Sequence, residues 1–495
     1  MTTPPLRKVL IANRGEIALR VIRACRARRL GTVAVYSSAD RSPLHVRAAD
    51  EAYHLGGASP AESYLNIGAL VDAARRRGAD AVHPGYGFLS ENPAFAEACA
   101  RAGVTFVGPS PEVLALCGDK ARTRRRVAAA GVPVLPGSDP VEDAAAISAA
   151  VQLGFPLVIK AAAGGGGKGI HLVHEAADLP GALRLARGEA RAAFGDDRVY
   201  LERWLRRTRH VELQVAADGA GAVIHLGERE CSIQRRHQKL IEETPSPALT
   251  SDLREDLTRA AIAAARAVGY RNVGTIEFLV SDAAFYFLEI NARLQVEHPV
   301  TEMVTGTDLV GLQLAIAAGD ELPIRQEDIR LAGHALECRI SAEDVEGGFL
   351  PRAGRVGEVV LPGGPGIRVD GALVPGMEIS RFYDPLLAKV VAWGPTRSAA
   401  IGAMAAALRE TIITGVPTTI PFHLWALAHP AFSSGNYGTE FVETEWPVRP
   451  SPDRHLAVLA AAVLAYEEEH RIPLLPPQTA ASPAWIAAAR REALS

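Results

Sequence analysis

The chain has 495 residues, 48% of them hydrophobic and 22% charged, an ordinary balance for folded domains. That length predicts about three domains, each large enough for its own core. A net charge of −3 excludes the basic footprint of a nucleic-acid or anionic-membrane binder, and five scattered cysteines without a CxxC pair argue against a zinc site and for reduced thiols in the cytoplasm.

Residues 7–13 (RKVLIAN) predict a buried strand, followed by a helical pattern through Arg29 and a second strand at 32–36. A first strand so close to Met1 leaves no room for a signal peptide, and the longest apolar run, 456–466, is too short to span a bilayer. Alternation continues through DAVHPG and VTFVGPS, which predicts an open parallel sheet with crossover helices over residues 1–118. The first strand–helix turn reads ANRGEIA rather than GxGxxG, so a dinucleotide site is not expected there. A helix at 119–131 ends at Gly131. Residues 133–205 form a module of helix, strand (PLVIKA), glycine loop, strand (IHLV), long helix and strand (VYLERWL). Strand patterns fill 210–288, with one Ala-rich helix at 252–268. A mixed segment after Gly333 ends near Trp446, and the tail from 447 holds an Ala-rich helix, a Pro-rich break and a short helix. No internal repeat is found.

Only six of the 53 basic residues are lysines: Lys8, Lys120, Lys160, Lys168, Lys239 and Lys389. Lysine is a compact point charge on a flexible stem, suited to touching one phosphate oxygen, where arginine is a planar fork. Four of the six stand in GDK, VIKAAAGGGGKG and QRRHQK, the distribution expected of a triphosphate site. The run AAAGGGGKGI lacks the GxxxxGK[ST] spacing of a P-loop. Its consecutive glycines lie between two strand patterns and let backbone N–H groups approach phosphate closely, which favours a nucleotide lid, with Lys160 meeting the phosphates from the other side.

The stretch LEINARLQVE (288–297) alternates without a fault, so a strand there puts Glu289, Asn291, Arg293, Gln295 and Glu297 on one face. Glu277 and Glu289 are equidistant from Ala283; a hairpin turning at 281–284 makes them cross-strand neighbours, Cβ atoms about 5 Å apart. Like charges so placed need a cation between them, and oxygen ligands from Glu277, Glu289 and Asn291 suit Mg²⁺ or Mn²⁺ bridging substrate phosphates. HPGYGFLSEN (83–92) follows a strand at the sheet edge where ligands bind in open α/β sheets. Gln234, His237 and Lys239 are spaced to face one groove, while Cys231 is expected to be packed rather than nucleophilic.

Together IANRGEIA, HPGYGFLSEN, GPSPEVLALCGDK, KAAAGGGGKGI, RHVELQV, ERECSIQRRHQKLIEETPSP, LEINARLQVEHPVTEM, ECRISAED and FYDPLLAKV resemble biotin carboxylase, the ATP-grasp component of biotin-dependent carboxylases such as acetyl-CoA carboxylase, over residues 5–446. The resemblance implies a mixed α/β and α+β chain: a Rossmann-like N-terminal domain (1–118), an ATP-grasp domain (119–334) whose module 133–205 is a mobile lid, a C-terminal mixed domain (335–446) and a tail (447–495). It implies that Lys120, Lys160, Gly166, Gly167 and His237 contact the ATP phosphates or their approach, that Glu202, Arg203, Trp204 and Leu205 hold adenine, and that His210 lies at the ribose. Glu277, Glu289 and Asn291 would hold two metal ions. Lys239, Arg293, Val296 and Arg339 would bind bicarbonate, with Glu297 as base, and Tyr86, Gly87, Gln234, Arg339 and Asp384 would line or support the biotin pocket. Arg203 and Ala163 depart from the residues expected at their positions.

The reaction so implied is phosphorylation of bicarbonate to carboxyphosphate, its decomposition to CO₂ and phosphate, and carboxylation of biotin, whose enolate oxygen Arg339 would stabilise. None of the methionines (Met1, Met303, Met377, Met404) neighbours a lysine, so no biotin-attachment motif is read. Biotin is therefore expected on a separate carrier protein, with a separate carboxyltransferase and a homodimeric assembly, and neither nucleic acid nor membrane as partner.

Overall fold

A computed structural model describes residues 6–40, 43–163, 169–281, 283–447 and 463. The tail helix, Gly166 and Gly167 lie outside them.

The N-terminal strands are short apolar runs between helices, the pattern of a sheet covered on both faces. Five of them form a parallel sheet in the order Glu51–Gly56, Gly31–Ser37, Lys8–Ile11, Ala81–His83, Thr105–Phe106. Helices begin where polar side chains satisfy their free amides: Asn66, Asn92, Ser110 and Asp119 each accept a backbone N–H of the following turn. Two residues past the end of the first strand, Asn13 Nδ2 donates to the carbonyls of Pro84 and Tyr86, both at 2.7 Å. That pins the HPGYGFLSEN loop to the carboxyl edge of the sheet.

The middle and later segments share one antiparallel sheet of eight strands, ordered Ala284–Asn291, Asn272–Ser281, Arg209–Ala217, Val223–Arg235, Gln238–Thr244, His334–Ser341, Leu386–Gly394, Ile367–Gly371. Strand His334–Ser341 pairs with Gln238–Thr244 on one side and Leu386–Gly394 on the other, so the sheet runs unbroken past residue 335. Helix Ser251–Ala267 lays Leu257, Ala261 and Ala264 against it, burying them with Val211, Leu213, Ile276 and Phe278. The module after Gly131 has its own small core. Strands His171–Val173, Leu157–Ala161 and Val199–Arg203 are covered by helices Asp143–Leu153 and Leu179–Phe194 around Leu157, Ile159, Leu183 and Leu201. Among the described residues no helix is long and apolar enough to cross a membrane.

One expectation fails. The strand predicted over 288–297 ends at Asn291, and Arg293, Gln295 and Glu297 stand on a turn that enters helix His298–Thr305. Faultless alternation describes an extended strand only while a partner supplies hydrogen bonds. The neighbouring strand Asn272–Ser281 offers its last rung opposite Asn291, at Thr275.

The hairpin that carries Glu277 is anchored by Phe278, which is fully buried with its ring edge-on to Phe285 and Phe287, centroids 5.6 Å and 6.3 Å away. Phe278→Ala is expected to cost about 3–5 kcal/mol of stability, read as a lowered urea midpoint with unchanged slope.

Candidate active site

The hairpin of Val223–Arg235 and Gln238–Thr244 turns through Arg236 and His237, both with positive φ (48° and 64°), the backbone shape of tight hairpin loops. It sets Gln234 opposite Lys239. Lys239 Nζ then points among three carboxylates, at 2.6 Å from Glu212 Oε2, 3.0 Å from Glu277 Oε1 and 2.5 Å from Glu297 Oε1. Burial works against its charge, but Cys231 and the three acids outweigh burial and hold its pKa well above the ordinary lysine value.

In the second hairpin Ser281 pairs with Ala284 and Phe278 with Phe287; a bulge then advances one strand by a residue, so that Glu277 faces Glu289 and Thr275 faces Asn291. The carboxylate pair expected from the sequence is therefore present: the hairpin turns at 281–284 as expected, and the bulge supplies the one-residue offset that this turn by itself would leave between the two acids. The opposed acids meet different lysines: Glu277 shares Lys239 with Glu212 and Glu297, and Glu289 Oε2 lies 2.7 Å from Lys120 Nζ. His210 Nε2 lies 3.0 Å from Glu277 Oε2, and although burial opposes it, Glu277 raises the imidazole's pKa. The reciprocal effect, with Lys239 foremost, keeps Glu277 well below the carboxylate range against its burial.

The turn after Asn291 folds its polar groups back on this cluster. Arg293 donates to Asn291 Oδ1 at 2.9 Å and Gln295 Oε1 at 2.6 Å, and its Nε lies 2.9 Å from Glu91 Oε2 in the HPGYGFLSEN loop. Gln295 Nε2 donates to Glu277 Oε1 at 3.0 Å. Arg339, on strand His334–Ser341, bridges Glu242 Oε1 at 2.5 Å and Glu297 Oε2 at 2.8 Å. Lys239 and Arg339 thus hold one oxygen each of Glu297, and with Arg229 they keep it ionised against its burial.

Lys120, Lys239, Glu277, Glu289, Asn291, Arg293, Glu297, His210 and Arg339 are joined by these contacts into one site. Gln234 stands at its edge beside Lys239, and Val296 presents its carbonyl to Lys389 Nζ at 2.7 Å. Tyr86 hydrogen-bonds Glu16, and Gly87 has a φ of +67° with nothing within 4 Å of where a Cβ would sit, an open approach beside Tyr86. The small module contributes Lys160, 2.6 Å from Glu202, with Arg203, Trp204 and Leu205 following at the strand's exit. His237 and Asp384 are exposed; Asp384 accepts the Leu386 amide and touches none of the cluster's acids or bases through a hydrogen bond.

Sequence patterns do not single out Glu212, Glu242 and Arg229 as members of the site, and mark the stretches that hold Gln295 and Glu91 without giving either residue a role. Glu212 carries a signal: in RHVELQV the polar residues His210, Glu212 and Gln214 recur every second position on a strand whose every residue from His210 to Ala217 is buried. Arg229, wholly buried, donates to Glu212 Oε1 at 2.5 Å, Gln214 Oε1 at 2.6 Å and Thr275 and Thr301 hydroxyls at 3.0 Å, fixing that strand's polar face from behind.

The donors suit a hard divalent ion. Glu277, Glu289 and the Asn291 amide oxygen are all oxygen ligands, and Asn291 Nδ2 is buried without a hydrogen-bond partner, leaving its orientation to the oxygen's contacts. Among the described residues, His210–Glu212–Glu277 and Glu212–Cys231–Glu297 also converge closely enough for a metal, though Lys239 already occupies the centre of both.

Glu242 behaves differently from Glu297. It has Arg339 alone, and burial pushes its carboxyl up to about 7 while Arg339 only partly opposes this. A folded-state pKa above the ordinary value means the native state holds this proton, and the stability that goes with it is lost as pH rises from about 4.5 towards 7. Glu242→Gln stays neutral throughout, so the variant's melting temperature is expected to fall less than the parent's across that interval; parallel curves would place the proton elsewhere.

With this geometry established, three family descriptions match in succession: the N-terminal domain of biotin carboxylase at residues 5–114, the ATP-binding domain of the carbamoyl-phosphate synthase L chain at 119–325, and the C-terminal domain of biotin carboxylase at 337–444. Biotin carboxylase 1 of Bacillus subtilis is 51% identical over 445 residues, covering 89% of this chain and 98% of that one. A pyruvate carboxylase subunit of Methanothermobacter thermautotrophicus is 50% identical over 441 residues, covering 88% and 89%. The biotin carboxylase domain dimer of Hydrogenobacter thermophilus 2-oxoglutarate carboxylase, solved with MgADP, ADP and bicarbonate, matches with a TM-score of 0.88 at 45% identity, covering 91% of this chain and all of that one. Likeness this high, running in order through the sheet, the small module and the acid–base cluster, makes the chain a member of the biotin carboxylase family of ligases.

Proposed function

We propose that the chain uses ATP and bicarbonate to carboxylate biotin borne on a separate carrier protein, through carboxyphosphate, with release of ADP and phosphate. The observation that carries this reading is the sharing of Glu297 by Lys239 and Arg339, at 2.5 Å and 2.8 Å. Bicarbonate is an anion and competes with Glu297 for the same two cations. As Lys239 and Arg339 turn to the substrate, Glu297 loses the charges that hold its pKa down and becomes base enough to take the bicarbonate proton. Arg293 adds a third cation to the same anion pocket, beside the Val296 turn.

Lys120, Lys160 and His237 would meet the triphosphate, with Glu202 to Leu205 at adenine, His210 at the ribose and the glycine run, including Gly166 and Gly167, closing over it. Glu277, Glu289 and Asn291 would hold two Mg²⁺ or Mn²⁺ ions, which when bound supply positive charge to the phosphates. Lys120 and Lys239 release their acids in that state and turn to phosphate and bicarbonate oxygens. Arg339, a fixed fork of donors, then stands beside Tyr86, Gly87, Gln234 and Asp384 to take the enolate oxygen of biotin once phosphate has removed the ureido proton. The fork geometry and the open approach at Gly87 support this placement of biotin.

The acceptor proposed for the carboxyl group is acetyl-CoA, through a separate carboxyltransferase in a cytoplasmic complex built on a homodimer of this chain. The 50% identity to a pyruvate carboxylase component favours a keto acid as the second reading. Purifying the native complex and assaying carboxyl transfer to acetyl-CoA against pyruvate separates the two.

Two substitutions test the chemistry. Glu297→Gln is expected to lower bicarbonate-dependent ADP release by about 100-fold or more while nucleotide still binds, measured by coupled assay and calorimetry. Arg339→Ala is expected to leave ATP affinity intact and abolish carboxylation of free biotin. Undiminished carboxylation in either variant removes that residue from the reaction.

A further inference from the structure

Among the described residues, Lys389 is the one fully buried lysine that neither the nucleotide nor the anion pocket uses. It pairs across the sheet with Arg339, so the two cations project from one rung on one face. They reach consecutive residues of one turn. Arg339 donates to the Glu297 carboxylate at 2.8 Å, and Lys389 Nζ donates to the Val296 carbonyl at 2.7 Å. The same ammonium lies 3.2 Å from Glu16 Oε1, and that carboxylate accepts the hydroxyl of Tyr86, whose ring centroid is 5.9 Å from Nζ. Glu337 stands near Lys389, yet both its buried carboxyl oxygens are without a partner. The ammonium is thus committed to Val296 and Glu16, although Glu337 and Asp370 also stand close by.

Resting on the carboxylation reading above, we propose that Lys389 is a positioning residue: one buried ammonium ties the Val296–Glu297 turn of the bicarbonate pocket, through Glu16, to the Tyr86 wall of the biotin pocket. It touches neither substrate. Its part is to hold Glu297 where Lys239 and Arg339 meet it, and to keep that pocket at a fixed distance from biotin, so that activated carboxyl is captured instead of lost to water. Carboxyphosphate that forms without biotin in place decomposes to carbonate species and phosphate, and appears as ADP without carboxybiotin.

The experiment compares the parent, Lys389→Met, and Lys389→Met combined with Glu16→Gln, which relieves Glu16 of a buried charge that has lost its cation. Each is assayed with ATP, bicarbonate and free biotin for ADP and carboxybiotin together, after thermal melts confirm folding. Lys389→Met is expected to raise the KM for bicarbonate about ten-fold and to lower carboxybiotin formed per ADP, with the KM for ATP unchanged; the double variant keeps both defects even where it melts like the parent. A lower kcat with bicarbonate KM and product ratio both unchanged, or no change at all, overturns the positioning role. If Lys389→Met does not fold, the double variant alone decides by the same two readouts. A parent that releases ADP independently of bicarbonate and biotin overturns the carboxylation reading itself, and this proposal with it.

Discussion

Glu212, Glu277 and Glu297 are buried within reach of a single ammonium, that of Lys239, and the rest of the site depends on this arrangement. Three carboxylates can leave water only if cations and hydrogen-bond donors replace the lost hydration. Lys239, Arg229, Arg339 and His210 supply them, each from a different strand of the same sheet. The cluster therefore fixes the relative register of those strands, since a one-residue slip would turn a charge into the hydrophobic side. Breaking one partner of such a buried pair costs about 3–5 kcal/mol, more than an ordinary core methylene.

On the reading proposed above, this network would also bind anions: a phosphate or bicarbonate oxygen would replace the acids now paired with Lys120, Lys239 and Arg339. The acids so released would serve as metal ligands or, in Glu297, as a base. Glu242, with a single cation and a carboxyl near 7, is the least committed member of the cluster.

Much of this is visible in the sequence because it is local. Paired acids equidistant from a turn predict a cross-strand pair, and Glu277 does face Glu289. The alternating strand and helix runs of the first hundred residues predict the parallel sheet, and it forms with the four expected strands and a fifth, Glu51–Gly56, that the patterns do not mark. The small module after Gly131 is readable for the same reason: its strands and helices follow one another and pack on themselves. Alternation assigns Arg293, Gln295 and Glu297 to a strand face, whereas they reach the cluster from a turn, because pattern alone cannot say where a strand runs out of partners.

By itself the sequence determined which residues can carry charge, where the backbone turns, and which faces must be hidden, for these follow from side-chain chemistry and from periodicities of two and 3.6 residues. Only the tertiary structure decided that Glu212, Glu242 and Arg229 belong to the site, that a bulge aligns Glu277 with Glu289, and that Lys389 reaches across to the Val296 carbonyl. Glu242 and Arg339 stand 97 positions apart along the chain, and Val296 and Lys389 stand 93 apart. Such partners are chosen by the order in which eight strands hydrogen-bond, which no local pattern encodes.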